Sequence, residues 1–145
     1  MFVTDELREA VDLRLRTVDE RSSFLTAALN WNDVDWQDVT RIWAAERALH
    51  VAIECVTDAA NLIIDALVMR EPGSYADIVR VIAEEGVVDR TFPEQFSDAL
   101  TFRNQLVREY YQLKPADVAR AVQTCAPLFA AFVRSVRDYL GISSR

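Results

Sequence analysis

The sequence predicts an all-α protein, an up-and-down bundle of about five helices with one long second helix, and three observations carry that prediction. Apolar residues recur at steps of three and four along nearly the whole chain, as one face of an α-helix requires. Proline and glycine fall between those periodic segments, with Pro127 the exception. The length and balance, 145 residues with 51% apolar and 27% charged, suit one folded domain over residues 1–145 with a single core.

Each element follows from its own signals. Thr4 is an N-cap for a first helix reaching about Leu29, with Leu7, Val11, Leu15, Val18 and Leu25 as its apolar stripe. Asn30 to Asp33 interrupt it. The second helix is predicted from about Asp35 to Met69, where Val39, Ile42, Glu46, Leu49, Ile53, Val56, Ala60, Ile63 and Leu67 keep the helical step. Glu71-Pro72-Gly73 is a turn, and Ser74-x-x-Asp77 resembles a capping box for a short third helix ended by Gly86. Thr91-x-x-Glu94 repeats that pattern and opens a fourth helix expected from Phe92 to about Tyr111. Pro115 opens the last helix, which carries Val118, Val122, Cys125, Phe129, Phe132, Val136 and Leu140 on one stripe before Gly141. Pro127 inside it is expected to kink the helix or free the carbonyl near Gln123.

Composition removes several classes of function. Twenty-three acidic against 16 basic residues give a net charge of −7, so a basic surface clamped along nucleic acid is excluded and DNA is not an expected partner. Three glycines, Gly73, Gly86 and Gly141, cannot build a phosphate-cradling loop or a nucleophile elbow. Two cysteines and one histidine fall short of a zinc quartet, so neither a metal nor another cofactor is expected. No apolar run is long enough to span a bilayer and the first residues are acidic, so a cytoplasmic setting without membrane anchoring is expected.

The pattern breaks in a few places. Glu46 holds a seam position among aliphatic residues, where burial without a partner would cost several kcal/mol. At about 100° per residue Phe96, Leu100, Val107 and Tyr110 share a face of the fourth helix with Arg103. Glu46 and Arg103 are thus read either as a salt bridge inside the bundle or as part of an anion-binding pocket, with Asn104, Arg108 and Tyr110 adding polar groups. His50, the single imidazole, lies one position off the seam and is read as packed. Trp31, Trp36 and Trp43 are read as core anchors, as are Cys55 and Cys125.

Three runs together resemble the HepT-like toxins of the HEPN superfamily over roughly the whole chain. They are Ala45-Glu46-Arg47-Ala48-Leu49-His50-x-x-Ile53-Glu54-x-x-x-Asp58, then Pro72-Gly73-Ser74-Tyr75, then Phe102-Arg103-Asn104-x-x-Val107-x-x-Tyr110. The resemblance implies a HEPN-like bundle and a homodimeric, metal-independent ribonuclease. It also implies a nucleotidyltransferase antitoxin partner that attaches AMP to a tyrosine. By position Arg103 is the motif arginine, Asn104 the polar residue after it, and Tyr110 the modified tyrosine. Arg108 stands where the family has its histidine. The candidate site is accordingly Arg103, Arg108 and Tyr110 in the catalytic positions, Asn104 and Glu46 on the substrate side, Tyr110 as the modification site, and RNA as substrate or ligand. Arginine does not exchange protons near neutral pH, so turnover should be impaired by about 10²–10⁴. Three readings stay open: a toxin disabled at position 108, a non-catalytic RNA- or nucleotide-binding partner of a nucleotidyltransferase, and a purely structural helical dimer.

Overall fold

A side chain or a proline can relieve the free N–H groups of a helix's first turn, and the computed structural model, which describes residues 2–143, starts the first, second, fourth and last of its α-helices at such residues. Helix α1 covers Asp5–Ala28, α2 Val39–Ala66, α3 Asp77–Glu84, α4 Phe92–Gln95, α5 Ser97–Arg108 and α6 Pro115–Leu140. Short 3-10 turns at Asp35–Gln37 and Tyr110–Gln112 precede α2 and follow α5. With the single turn α4 counted together with α5, this is the expected all-α bundle of five helices around a long second one. No strand occurs among the described residues.

The Thr4 hydroxyl accepts the Leu7 N–H at 3.1 Å, and Leu7, Val11, Leu15, Val18 and Leu25 are buried as the stripe predicts. Helix α2 starts four residues later than expected. Asp38 has an extended backbone and its carboxylate accepts the Thr40 N–H at 3.0 Å, so it is the cap and Asp35 belongs to the preceding turn. Helix α2 packs along α1, and α6 lies against both. Arg137 on α6 donates to Asp19 at 3.0 Å and Asp12 at 3.4 Å on α1, while Arg8 Nε donates to the Leu140 carbonyl at the end of α6. These contacts tie α1 to the C-terminal end of the antiparallel α6.

The segment after α2 matters because it carries Tyr75. Ser74 Oγ accepts the Asp77 N–H at 3.2 Å, but Asp77 Oδ2 accepts the Gly73 N–H at 2.9 Å rather than that of Ser74, so the expected capping box is half formed and α3 starts after Ala76. Arg70 donates to both Asp77 and Glu84 and holds the Asp77 carboxyl well below the usual carboxylate range. Gly86 (φ +79°) then ends α3 in the left-handed conformation, and the Val87 N–H reaches the Ile82 carbonyl at 2.9 Å.

The fourth predicted helix is not continuous. Thr91 does not cap it, since its hydroxyl donates to Asp89 at 2.6 Å. The chain bends at Phe96 between α4 and α5. That bend lets Phe92 and Phe96 both enter the core, Phe92 against Phe132 and Phe96 edge-on to Phe129 of α6. Helix α5 also stops at Arg108, short of Tyr111. Past Arg103 only Leu106 still packs against the core, while Val107, Tyr110 and Tyr111 are exposed, so packing gives little support for continuing the helix. Helix α6 runs unbroken through Pro127, with both Pro127 and Gln123 on the exposed side where water can serve the freed carbonyl. Of the three tryptophans, Trp31 and Trp36 pack edge-on at 4.9 Å against the core, whereas Trp43 is 68% exposed and is no anchor. Cys125 is buried, which pushes its thiol up to about 12, and half-buried Cys55 is also shifted up by burial; both read as packing residues. No helix among the described residues is long and apolar enough to cross a membrane.

Helix α2 ends in a local strain. Val68 has φ +53°, a left-handed conformation that disfavours a β-branched side chain by roughly 1–2 kcal/mol, and its side chain is exposed. Replacing Val68 by glycine should therefore stabilise the fold by about 1 kcal/mol, read as a higher urea midpoint with unchanged slope. A lower midpoint would contradict the account of this turn.

Candidate functional site

The site is built where α5 crosses α2. Arg103 is the point at which the apolar face of α5 leaves the core, after buried Phe96 and Leu100, and its guanidinium reaches toward α2. There Arg103 Nε donates to Glu54 Oε1 at 2.6 Å. Both groups are charged, which makes this hydrogen bond roughly twice as strong as a neutral one. The bond to Glu54 is the main cause that raises the Arg103 guanidinium above its ordinary value.

Tyr75 completes the mounting. The Arg103 guanidinium carbon lies 4.2 Å from the centre of its ring, a cation–π contact. The Tyr75 hydroxyl is anchored by Thr57 Oγ1 at 2.8 Å and stands 3.4 Å from the same Glu54 oxygen. Burial pushes this phenol up, so it stays a neutral hydroxyl at physiological pH. Thr57 is fully buried on α2, so the hydrogen-bonded chain from α2 to Arg103 is rooted in the core. His50, one turn before Glu54 on α2, places Nε2 3.6 Å from Glu54 Oε1. The side chains of Arg103, His50 and Glu54 are 24%, 28% and 35% exposed, so a ligand can reach them from solvent.

This arrangement corrects the pairing expected from sequence. Glu46 is not the partner of Arg103. It is half-buried, makes no hydrogen bond or ion pair among the described residues, and its carboxyl is shifted up by burial. Glu54 takes its place. The two positions lie on the same side of α2 but eight residues, about 12 Å, apart along its axis, and Arg103 of α5 meets the helix at Glu54. His50 likewise is not simply packed, since it borders the Arg103 ion pair.

The motif residues are not gathered into one pocket within the chain. Asn104 and Arg108 are exposed, and no hydrogen bond or ion pair among the described residues joins either of them, or Tyr110, to Arg103. Tyr110 lies in the 3-10 turn beyond the helix, so it does not continue the α-helical face of Arg103. It pairs edge-on with Tyr111 at 5.6 Å between ring centres. Sequence reasoning gave no role to Glu54, Tyr75 or Thr57. The available signal was the spacing His50, Glu54, Thr57, which puts three polar groups on one edge of an otherwise aliphatic helix. A cleft of about 520 Å³ between α3 and the start of α5, lined by Arg80, Arg90, Glu84 and Glu94 among others, shares no residue with this cluster.

The fold is an all-α bundle whose long second helix holds an arginine delivered by α5. The chain belongs to the HepT-like ribonuclease family, whose model, described as "Ribonuclease HepT-like", matches residues 6–136. Among its relatives, YutE of Bacillus subtilis (strain 168), provisionally named an RNase, is 31% identical over 113 residues, 78% of each chain. The solved structure of Bacillus subtilis YutE, described as a cytosolic protein of unknown function, superposes with a TM-score of 0.83 at 26% identity, covering 100% of this chain and 99% of that one. A tri-AMPylated HEPN toxin of Shewanella oneidensis, solved in complex with its MNT antitoxin, has the same fold, with a TM-score of 0.78 at 19% identity over 88% of this chain and 96% of that one.

The unpartnered Glu46 gives a pH-dependent prediction. A carboxyl whose value is raised in the folded state binds protons more tightly there than when unfolded, so folded stability falls as pH rises through its titration and is unpenalised below it. Glu46→Gln should therefore be more stable than the parent at pH 7, with the difference vanishing as pH drops into the ordinary carboxylate range. Thermal melts across pH would show this; a variant less stable at pH 7 would mean that Glu46 has a partner.

Proposed function

We propose that this chain is the toxin-type subunit of a toxin–antitoxin pair: an RNA-directed HEPN protein, active as a homodimer, in which the phosphate-binding arginine is kept and turnover is reduced by Arg108. The observation that carries this reading is the mounting of Arg103. Glu54 engages its Nε and Tyr75 its face, while its two Nη groups have no partner among the described residues. A guanidinium held this way offers its outer edge to a phosphate oxygen pair without losing its own orientation.

Position 108 sets the chemistry. Cleavage of RNA without a metal needs a group that accepts or donates a proton, and a guanidinium supplies only charge. Arg108 therefore acts as a second phosphate contact. Arg103 and Arg108 diverge by about 140° around α5, so one phosphate meets both most readily when a second copy brings its own Arg108 across a twofold axis. The exposed Val107, Tyr110 and Tyr111 at the end of α5 supply apolar surface for that contact. Asn104, exposed beside Arg103, adds a neutral donor on the substrate side. The functional unit is the whole chain as one domain, and no metal or cofactor enters the reading.

The nucleotidyltransferase partner is supported by the complex formed by the Shewanella toxin. Tyr110 is the acceptor in this reading. Its side chain is 66% exposed in the turn just beyond Arg108, so its hydroxyl is open to an enzyme. AMP attached there would put phosphate charge beside the site and occupy it. Incubation with the cognate nucleotidyltransferase and ATP should add the mass of AMP to the protein, and Tyr110→Phe should lose that adduct. Equal adducts on the variant would move the modification elsewhere.

Activity is tested at positions 108 and 103. Arg108→His should raise metal-independent RNA cleavage by about 10²–10⁴, assayed with chelator present, and should inhibit growth of a bacterial host. Adding Arg103→Ala to that variant should abolish both effects. An Arg108→His variant that folds and binds RNA but stays inert would favour the alternative for which Arg108 itself speaks, a non-catalytic RNA- or nucleotide-binding subunit.

A further inference from the structure

The chain's single imidazole stands in the arginine site. His50 and Glu54 are four apart on α2, hence on one face of the helix, and that face is turned to α5. His50 Nε2 lies 3.6 Å from Glu54 Oε1, the same oxygen that accepts from Arg103 Nε at 2.6 Å. The two nitrogens are thus separated by no more than the sum of those distances. At 3.6 Å the contact is longer than a hydrogen bond, and neither ring nitrogen has a hydrogen-bond partner among the described residues. The side chain is 28% exposed, on the solvent-facing rim of the cluster.

A phosphate on the free edge of Arg103 would place its oxygens about 2.7–2.9 Å from the guanidinium nitrogens. The attacking 2′-oxygen sits about 3–3.5 Å from phosphorus in a productive geometry, which is within reach of a ring that borders the same ion pair. Glu54 then has two tasks in one place. It orients Arg103 before reaction, and its charge offsets the imidazolium formed during it, as a carboxylate does beside a catalytic histidine.

We propose that His50 is the proton-accepting catalytic residue of this chain, taking the 2′-hydroxyl proton of an RNA whose adjacent phosphate is held by Arg103. The proposal rests on the RNA-directed reading of the site given above. Neutral His50 accepts the proton as the 2′-oxygen forms a bond to phosphorus, and the bond from phosphorus to the 5′-oxygen breaks. The departing 5′-oxygen takes a proton from water, and the hydroxide left behind is neutralised by the proton that the imidazolium releases. The products are a 2′,3′-cyclic phosphate and a 5′-hydroxyl, with no net proton change. With one imidazole and no second proton carrier at position 108, the unmodified sequence should cleave slowly by this route.

The test uses the full-length protein, a fluorescently labelled single-stranded RNA of mixed sequence, and chelator throughout. The parent protein should cleave slowly to cyclic-phosphate ends. His50→Ala and His50→Gln should each lose about 10²-fold in rate while keeping RNA affinity and melting temperature. Added imidazole should restore His50→Ala in proportion to its concentration and leave Arg103→Ala inert. A His50 variant that cleaves at the parent rate, or His50→Ala that is slow but unmoved by imidazole, overturns the proposal. Parent protein that binds RNA yet cleaves no faster than Arg103→Ala also overturns it while leaving RNA binding standing. Failure to bind RNA at all instead removes the RNA-directed reading, and this proposal falls with it.

Discussion

The close packing of α2 against its neighbours is the constraint on which the rest of this structure depends. Ala45, Ala48, Ala52, Ala59 and Ala60 are all buried on it, alongside Leu49, Ile53, Val56 and Ile63. Small side chains let neighbouring helix axes approach closely, and the aliphatic ones fill the space between at near-crystalline density. Helices α1, α3, α5 and α6 all pack on α2. Any polar residue on α2 must therefore sit at an edge of the buried face or find a partner on the helix that covers it. Glu54 meets Arg103 of α5 and Thr57 meets Tyr75 on the loop before α3, and the site follows from that requirement.

A carboxylate, a hydroxyl and an imidazole on one edge of α2 meet an arginine and a tyrosine delivered by two separate segments. Arg103 arrives on α5, whose direction is fixed by the bend at Phe96 and the aromatic contacts to α6. Tyr75 arrives on the loop that Arg70 ties to α3 through Asp77 and Glu84. Neither delivery depends on the cluster itself. The guanidinium is thus held in place by Glu54 and Tyr75 without any ligand. Where α5 outruns the core, at Val107 and beyond, the chain turns into a 3-10 segment and exposes two tyrosines. The motif positions consequently lie partly on a supported face and partly on an unsupported end.

Much of this was legible in the residues. The start of α1 at Thr4, the span of α6 from Pro115 to Leu140, and the left-handed glycines at 86 and 141 each follow from local chemistry. Capping and proline placement act within one turn and need no tertiary information. The start of α2 was misplaced because Asp35 and Asp38 are both competent caps, and an extended backbone at the second decides between them. The continuity of α4 and α5 was misjudged for a different reason. Phe92 and Phe96 fit one helical stripe, yet both rings reach α6 better with a bend between them.

The choice between Glu46 and Glu54 marks the boundary between sequence and structure. Both sit on the same side of the aliphatic stripe of α2, two turns or about 12 Å apart along the axis. Periodicity reports that a residue is near an edge; it does not report which neighbour covers that edge. The sequence by itself determined the all-α bundle, most helix limits, the resemblance to HepT-like ribonucleases and the replacement of the motif histidine by Arg108. Only the tertiary structure decided that Arg103 pairs with Glu54, that Tyr75 supports it, and that His50 borders the pair. Helix patterning is set by contacts within a few residues, whereas a site shared by three segments depends on rotations about helix axes that no local pattern encodes.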